Sequence, residues 1–73
     1  MTKREKLLAK LERNPRGVAL RDFEALIRAF GYIEEGGKHP KAIIGPYTRP
    51  YKRENPVKSY YVKELLEIIK SLE

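Results

Sequence analysis

Apolar side chains recur along the chain with the spacing of three amphipathic helices. The first stripe is narrow and consists of Leu7, Leu8 and Leu11. It predicts a short helix that ends at Asn14-Pro15, with Thr2 as its N-cap and Glu5 completing a capping box. Because so narrow a stripe has little surface to bury, we expect residues 1–14 to be an appendage on the main fold, residues 15–73.

Two later stripes are wider and predict the helices of the core. The first has the spacing of one helix face and comprises Leu20, Phe23, Leu26, Ile27 and Phe30. Gly31 follows it, where a helix favours a left-handed C-terminal cap. The last helix carries two adjacent stripes, made of Tyr61, Leu65, Ile68 and Leu72 and of Val62, Leu66 and Ile69. Ser59 is its predicted N-cap, and the wide apolar face suits a helix that lies across a sheet.

The chain between these two helices is rich in glycine and proline, which interrupt helices. Three short β-strands fit between these residues. They cover residues 32–35, 41–44 and 47–51. Gly36-Gly37 and Gly45-Pro46 are the predicted turns, and Tyr32 is expected to lie in the core. The element order α, α, β, β, β, α predicts one α+β domain with a three-stranded antiparallel sheet.

The charge is unevenly distributed along the 73 residues. The formal net charge is +6, and residues 36–58 carry six basic side chains against a single acidic one, Glu54. The six are Lys38, Lys41, Arg49, Lys52, Arg53 and Lys58. Positive charge concentrated in this way is typical of a surface that binds a nucleic acid backbone, although it can also serve solubility alone. Tyrosines lie among these cations and could stack on unpaired bases or fill the core.

Several classes of site are excluded by composition. The chain has no cysteine and one histidine, so it cannot form disulfides or a zinc site built from several Cys and His ligands. Its acidic residues form no cluster that predicts a multi-carboxylate metal site, and it has no glycine-rich phosphate-binding loop. Because it has neither a signal peptide nor a long apolar stretch, we expect a cytoplasmic protein without a membrane segment, metal or cofactor.

One segment carries candidate chemistry, Gly36-Gly37-Lys38-His39. Histidine is the side chain whose ordinary titration falls near neutral pH, and glycines let a backbone approach a ligand closely. Cleavage of RNA through its own 2′-hydroxyl requires a group that moves protons and cations that hold the phosphate. His39 with Lys38 and Lys41 could supply both without a metal. A lone histidine in a basic turn is, however, more often an ordinary surface residue.

Several segments resemble HicA-type toxins. Asn14-Pro15, residues 18–26 and Phe30-Gly31-Tyr32 resemble the start of that family, in which a helix ends in a glycine–aromatic pair before the first strand. Gly37-Lys38-His39 stands where the family has Gly-Ser-His, the motif that contains its catalytic histidine. Residues 50–62 resemble the family's link into its last helix.

The resemblance implies an α-β-β-β-α core like that of double-stranded-RNA-binding domains, here with an additional N-terminal helix. It also implies metal-independent cleavage of mRNA by His39 and neutralisation by a HicB-type antitoxin in a type II toxin–antitoxin system. Gly37 and His39 carry over from the motif, whereas Lys38 replaces the family's serine and Ala42 stands at its aromatic position. The residues expected to bind RNA are Gly37, Lys38, Lys41, Arg49, Lys52, Arg53 and Lys58.

Two other interpretations of the same sequence stay open. One is a non-catalytic module that binds RNA or DNA through the basic segment. The other is a basic interaction domain whose partner is an acidic protein. Loss of RNA cleavage in a His39 variant, together with a steep dependence of binding on salt, would favour the HicA-type ribonuclease over these two interpretations.

Overall fold

Three helices and a three-stranded antiparallel sheet make up the described part of the chain. The computed structural model describes residues 3–72, so the predicted N-cap Thr2 lies outside the described residues. The elements are α1 (Lys3–Arg13), α2 (Leu20–Phe30), β1 (Tyr32–Glu34), β2 (Lys41–Ile44), β3 (Tyr47–Pro50) and α3 (Ser59–Ser71). The predicted α+β class and element order are confirmed, and β1 and β3 are each one residue shorter than predicted.

The sheet has the strand order β1-β2-β3, with both neighbouring pairs antiparallel. Successive side chains of a strand point to opposite faces. In β2, Ala42 and Ile44 are buried, and Ile33 lies opposite Ala42 on the same face. The other face is mostly exposed to solvent, and we call it the open face. It carries Tyr32, Glu34, Lys41, Ile43, Thr48 and Pro50.

Two predictions at the start of β1 are wrong. Tyr32 is 58% exposed because the strand register pairs it with Ile43 on the open face and not with the buried row. Gly31 follows α2 as predicted, but its φ of −166° is extended rather than left-handed. A Cβ atom added at Gly31 would lie 1.9 Å from the Ile43 carbonyl oxygen. Close approach of two backbones therefore explains this glycine.

Helix α1 is part of the core and not an appendage. Its Leu11 is only 1% exposed and belongs to the same buried cluster as Phe23 of α2 and Ile69 of α3. Ion pairs also join α1 to its neighbours: Lys10 Nζ lies 3.1 Å from Asp22 Oδ2 and Lys70 Nζ lies 3.8 Å from Glu12 Oε2. The narrow apolar stripe predicted the helix correctly, but its burial depends on two other helices.

The segment between β3 and α3 returns to the start of α2. Asn55 Oδ1 accepts a hydrogen bond of 3.1 Å from the backbone N–H of Leu20, and the Val57 N–H donates to the Val18 carbonyl at 2.9 Å. Asn55 thus satisfies one of the free N–H groups at the first turn of α2. The predicted N-cap of α3, Ser59, is wrong: Lys58 has the extended backbone of the cap position, and Ser59 is the first helical residue.

Candidate functional site

The predicted glycine turn connects β1 to β2 and exposes His39. Gly36 and Gly37 have φ values of 127° and 72°, which residues with a Cβ rarely adopt. An added Cβ would meet nothing within 4 Å at either position, so backbone conformation and not space requires these glycines. Lys38 and His39 follow, and both side chains are exposed.

The turn forms one side of an open groove at the edge of the sheet, which we call the His39 groove. Its volume is about 360 Å³, and it is lined by Glu34, Glu35, Gly36, Gly37, Lys38, His39, Lys41 and Pro50. The strand register explains this grouping, because Lys41 lies directly between Glu34 of β1 and Pro50 of β3. The structure therefore brings together four of the predicted site residues: Gly37, Lys38, His39 and Lys41.

Arg53 is engaged in a network of acidic groups next to this groove. Its guanidinium donates two hydrogen bonds to the two carboxylate oxygens of Glu35, at 2.8 and 2.5 Å, and its Nε donates to Glu24 Oε2 at 2.8 Å. The Tyr51 hydroxyl donates to the same Glu24 oxygen at 2.5 Å. One cation thus joins α2, the end of β1 and the segment after β3.

The network changes the ionisation of its members. Burial alone raises the pKa of Glu24, but hydrogen bonds from Tyr51 and Arg53 outweigh it, and the pKa lies below its ordinary value. The hydrogen bonds from Arg53 likewise lower the pKa of Glu35. Burial and the bond to Glu24 raise the pKa of Tyr51, and the bonds to Glu35 and Glu24 raise that of Arg53. Both acids therefore stay ionised and Arg53 stays protonated at neutral pH.

Two other predicted RNA-binding cations also have acidic neighbours. Arg49 Nε lies 2.8 Å from Glu64 Oε1 of α3, and Lys58 Nζ lies 3.9 Å from Glu54 Oε1. In contrast, the side chains of Lys38, Lys41 and Lys52 have no hydrogen bond or ion pair among residues 3–72. The six cations of the basic segment thus divide into three that form an ion pair and three that form none among residues 3–72, although Glu34 lies beside Lys41 in the strand register.

The tyrosines divide into rings that pack against other side chains and rings that are exposed to solvent. Tyr51 is 2% exposed, and its ring meets that of Phe23 edge-on at 5.1 Å between centroids. Tyr61, predicted as core, is half-buried and stacks obliquely on Tyr60, with 4.4 Å between the ring centroids. Tyr60 is exposed, as is Tyr32 on the open face. Of these rings, Tyr32 and Tyr60 are accessible to a base.

Sequence reasoning missed the acidic partners of the basic segment. Glu24 lies 27 residues from Tyr51 and 29 from Arg53 along the chain, so no local spacing relates them. The only sequence signal for Glu24 is that it is an acidic residue next to the apolar stripe of α2. Glu34 and Glu35 are adjacent in the sequence, and because β1 ends at Glu34, both line the His39 groove.

Among the described residues, no group of three or more histidine or acidic side chains is arranged to hold a metal ion. Within the same range, every helix is too short or too polar to cross a membrane.

The chain matches no protein-family model, no curated protein and no solved structure.

Proposed function

We propose that this chain is an RNA-binding domain of the HicA toxin type that cleaves mRNA with His39 and without a metal ion. The single observation that carries the proposal is the His39 groove itself. There an exposed imidazole lies with Lys38 and Lys41, whose ammonium groups form no ion pair among residues 3–72, although Glu34 and Glu35 line the same groove. The position of Gly37-Lys38-His39 between the first two strands supports the resemblance drawn from the sequence.

Electrostatics favours a phosphate backbone as the ligand of this groove. Lys38 and Lys41 can each neutralise a phosphate and release its counterions, because neither has to give up an existing ion pair. Glu34 and Glu35 also line the groove. Arg53 binds both carboxylate oxygens of Glu35, so one uncompensated carboxylate, that of Glu34, stands against the two lysines. The open face beside the groove presents Tyr32, which is available to stack on an unpaired base.

The chemistry would use the RNA's own 2′-hydroxyl. The neutral imidazole of His39 removes the proton from this hydroxyl, and the 2′ oxygen attacks the adjacent phosphorus. The 5′ oxygen leaves with a proton donated by the imidazolium so formed or by a lysine ammonium. Lys38 and Lys41 stabilise the extra negative charge on the phosphate in the transition state. The products are a 2′,3′-cyclic phosphate and a 5′-hydroxyl end.

The same proposal includes a protein partner. A toxin of this type is neutralised by a HicB-type antitoxin, and an acidic antitoxin would complement the exposed lysines of the groove. A small gene for an acidic protein beside the gene for this chain would support this. The proposal also places the protein in the cytoplasm, where mRNA is found.

Replacing His39 by alanine tests the proposal. We expect His39→Ala to abolish cleavage of a labelled single-stranded RNA and to keep its affinity within about threefold, which is under 1 kcal/mol. Cleavage is measured by gel electrophoresis and the cyclic phosphate by mass spectrometry. Binding is measured by fluorescence anisotropy.

Lys63→Gln is the control, because Lys63 is exposed on α3 and does not line the groove. It should cleave like the wild type. A wild-type protein that binds RNA but never cleaves it would contradict the proposed cleavage and would support a non-catalytic RNA-binding module. RNA binding that does not weaken with salt would contradict phosphate contacts by the lysines of the groove.

A further inference from the structure

A second basic surface lies on α1 and the residues that follow it, on different elements from the His39 groove. We call it the α1 basic face. It comprises Lys6, Lys10, Arg13 and Arg16. The first three are spaced i, i+4 and i+7 and therefore share one side of the helix. Glu12 lies on another side of the helix, near Lys70 of α3.

Two adjoining open grooves run along this face. One has a volume of about 400 Å³ and is lined by Lys6, Ala9, Lys10, Arg13 and Asn14. The other, of about 200 Å³, shares Lys10 and Asn14 with the first and continues past Arg16 to the start of α2. The four cations thus border two grooves that share Lys10 and Asn14.

Little negative charge balances these cations. Lys10 pairs with Asp22 at 3.1 Å but stays 68% exposed, and the other three have no ion pair among residues 3–72. Like charges three and four residues apart destabilise a helix by about 0.2–0.5 kcal/mol per pair. The helix dipole accounts for Lys10 and Arg13, which lie in the last turn of α1. It does not account for Lys6 in the first half of α1 or for Arg16 beyond its end.

The surroundings select a phosphate polymer over a protein or a lipid surface. Protein interfaces centre on exposed aromatic or apolar side chains, but the large exposed apolar residues of the described chain are Tyr32, Tyr60 and Leu72, none of which lines these grooves. A helix that lies on a membrane needs a free apolar stripe, whereas Leu11 of α1 is buried in the core. Cations and the Asn14 amide suit phosphate oxygens.

We infer that the α1 basic face is a second phosphate-binding surface for the RNA that the His39 groove contacts. This inference rests on the proposed RNA-binding function. It makes RNA binding a property of two surfaces, of which only the His39 groove carries the catalytic histidine. Removing charge from the α1 basic face should therefore weaken binding without changing the chemistry at a bound phosphate.

The test measures how binding depends on salt for matched charge variants. All carry His39→Ala, so that the probe, a fluorescein-labelled single-stranded RNA, is not cleaved. Lys6→Gln/Arg16→Gln removes the two cations that the helix dipole does not explain. Arg21→Gln/Lys63→Gln removes the same charge from exposed positions of α2 and α3 that line neither groove, and it serves as the control. Lys38→Gln/Lys41→Gln reports on the His39 groove.

The slope of log affinity against log salt changes by about 0.7 for each phosphate contact of a single strand. We expect Lys6→Gln/Arg16→Gln to reduce the slope by about 1.4 between about 50 and 200 mM salt, and Arg21→Gln/Lys63→Gln to change it by less than about 0.5. Circular dichroism of each variant confirms that it is folded.

Each outcome decides one question. If Lys6→Gln/Arg16→Gln behaves like the Arg21→Gln/Lys63→Gln control while Lys38→Gln/Lys41→Gln loses slope, the second surface is refuted and the proposed function stands. If only Lys6→Gln/Arg16→Gln loses slope, the second surface stands and RNA contact at the His39 groove is refuted. If the protein that carries only His39→Ala does not bind RNA, the proposed function and this inference are refuted together. RNA affinity that does not depend on salt in any variant would show that phosphate contacts do not drive binding and would overturn the inference.

Discussion

Arg53 links three parts of the fold through one guanidinium group. It belongs to the segment after β3 and binds Glu24 of α2 and Glu35 at the end of β1. Two carboxylates compensate its charge, so Arg53 adds little to the positive potential that RNA would meet. Its position beside the glycine turn instead holds the end of β1 in place. At this scale, the role of a cation depends on its neighbours and not on its residue type.

The acid dependence of stability should reveal the network around Glu24. The pKa of Glu24 lies below its ordinary value of 4.5, so the ionised group stabilises the fold above pH 4.5 and this contribution is lost as the pH falls through the lower folded value. We expect the free energy of unfolding, measured with urea, to fall less steeply below pH 4.5 in Glu24→Gln than in the wild type. Glu67→Gln, an exposed change on α3, should keep the wild-type dependence. Equal curves for the two variants would refute the network's contribution.

At the scale of elements, both ends of α2 depend on contacts with chain segments that are distant in sequence. Gly31 ends α2 where its backbone passes the Ile43 carbonyl of β2. Asn55 caps α2 from 35 residues away. The sequence located both ends of α2 within about one residue, as apolar periodicity allows. It could not show why Gly31 is required, because the contact belongs to the neighbouring strand.

Two glycine substitutions should separate close packing from backbone conformation. Gly31→Ala places a Cβ 1.9 Å from a backbone oxygen, and we expect a loss of about 3 kcal/mol in the free energy of unfolding. Gly37→Ala strains a left-handed residue with free space around it, for which about 1 kcal/mol is expected. Urea denaturation measures both. A smaller loss for Gly31→Ala than for Gly37→Ala would show that the strand moves aside easily.

For the whole molecule, the structure redistributes the charge that the sequence concentrated in residues 36–58. Arg49 and Arg53 are paired by acids from other elements, whereas most of the α1 basic face is unpaired among the described residues. Counting charges along the chain therefore overstates the middle segment and overlooks α1. The molecule presents two lysines without ion pairs at the His39 groove and a basic surface on α1.

Helix α1 should be necessary for the stability of the whole domain. Leu11 is 1% exposed and contacts the common core, so Leu11→Ala should reduce the free energy of unfolding by about 2–5 kcal/mol. Thermal and urea denaturation measure this loss. Leu72→Ala is the control because Leu72 is 45% exposed, and it should cost less than about 1 kcal/mol. Similar losses for both variants would mean that α1 is the appendage that its narrow stripe suggested.

The sequence by itself determined the element order, the apolar faces of α2 and α3 and the glycine turn that exposes His39. These features are local, since periodicity and backbone preference act over a few residues. Only the tertiary structure decided that Arg53 is paired, that Tyr32 is exposed and that Leu11 is buried. Each of these depends on strand register or on residues far apart in the chain, which sequence spacing does not encode.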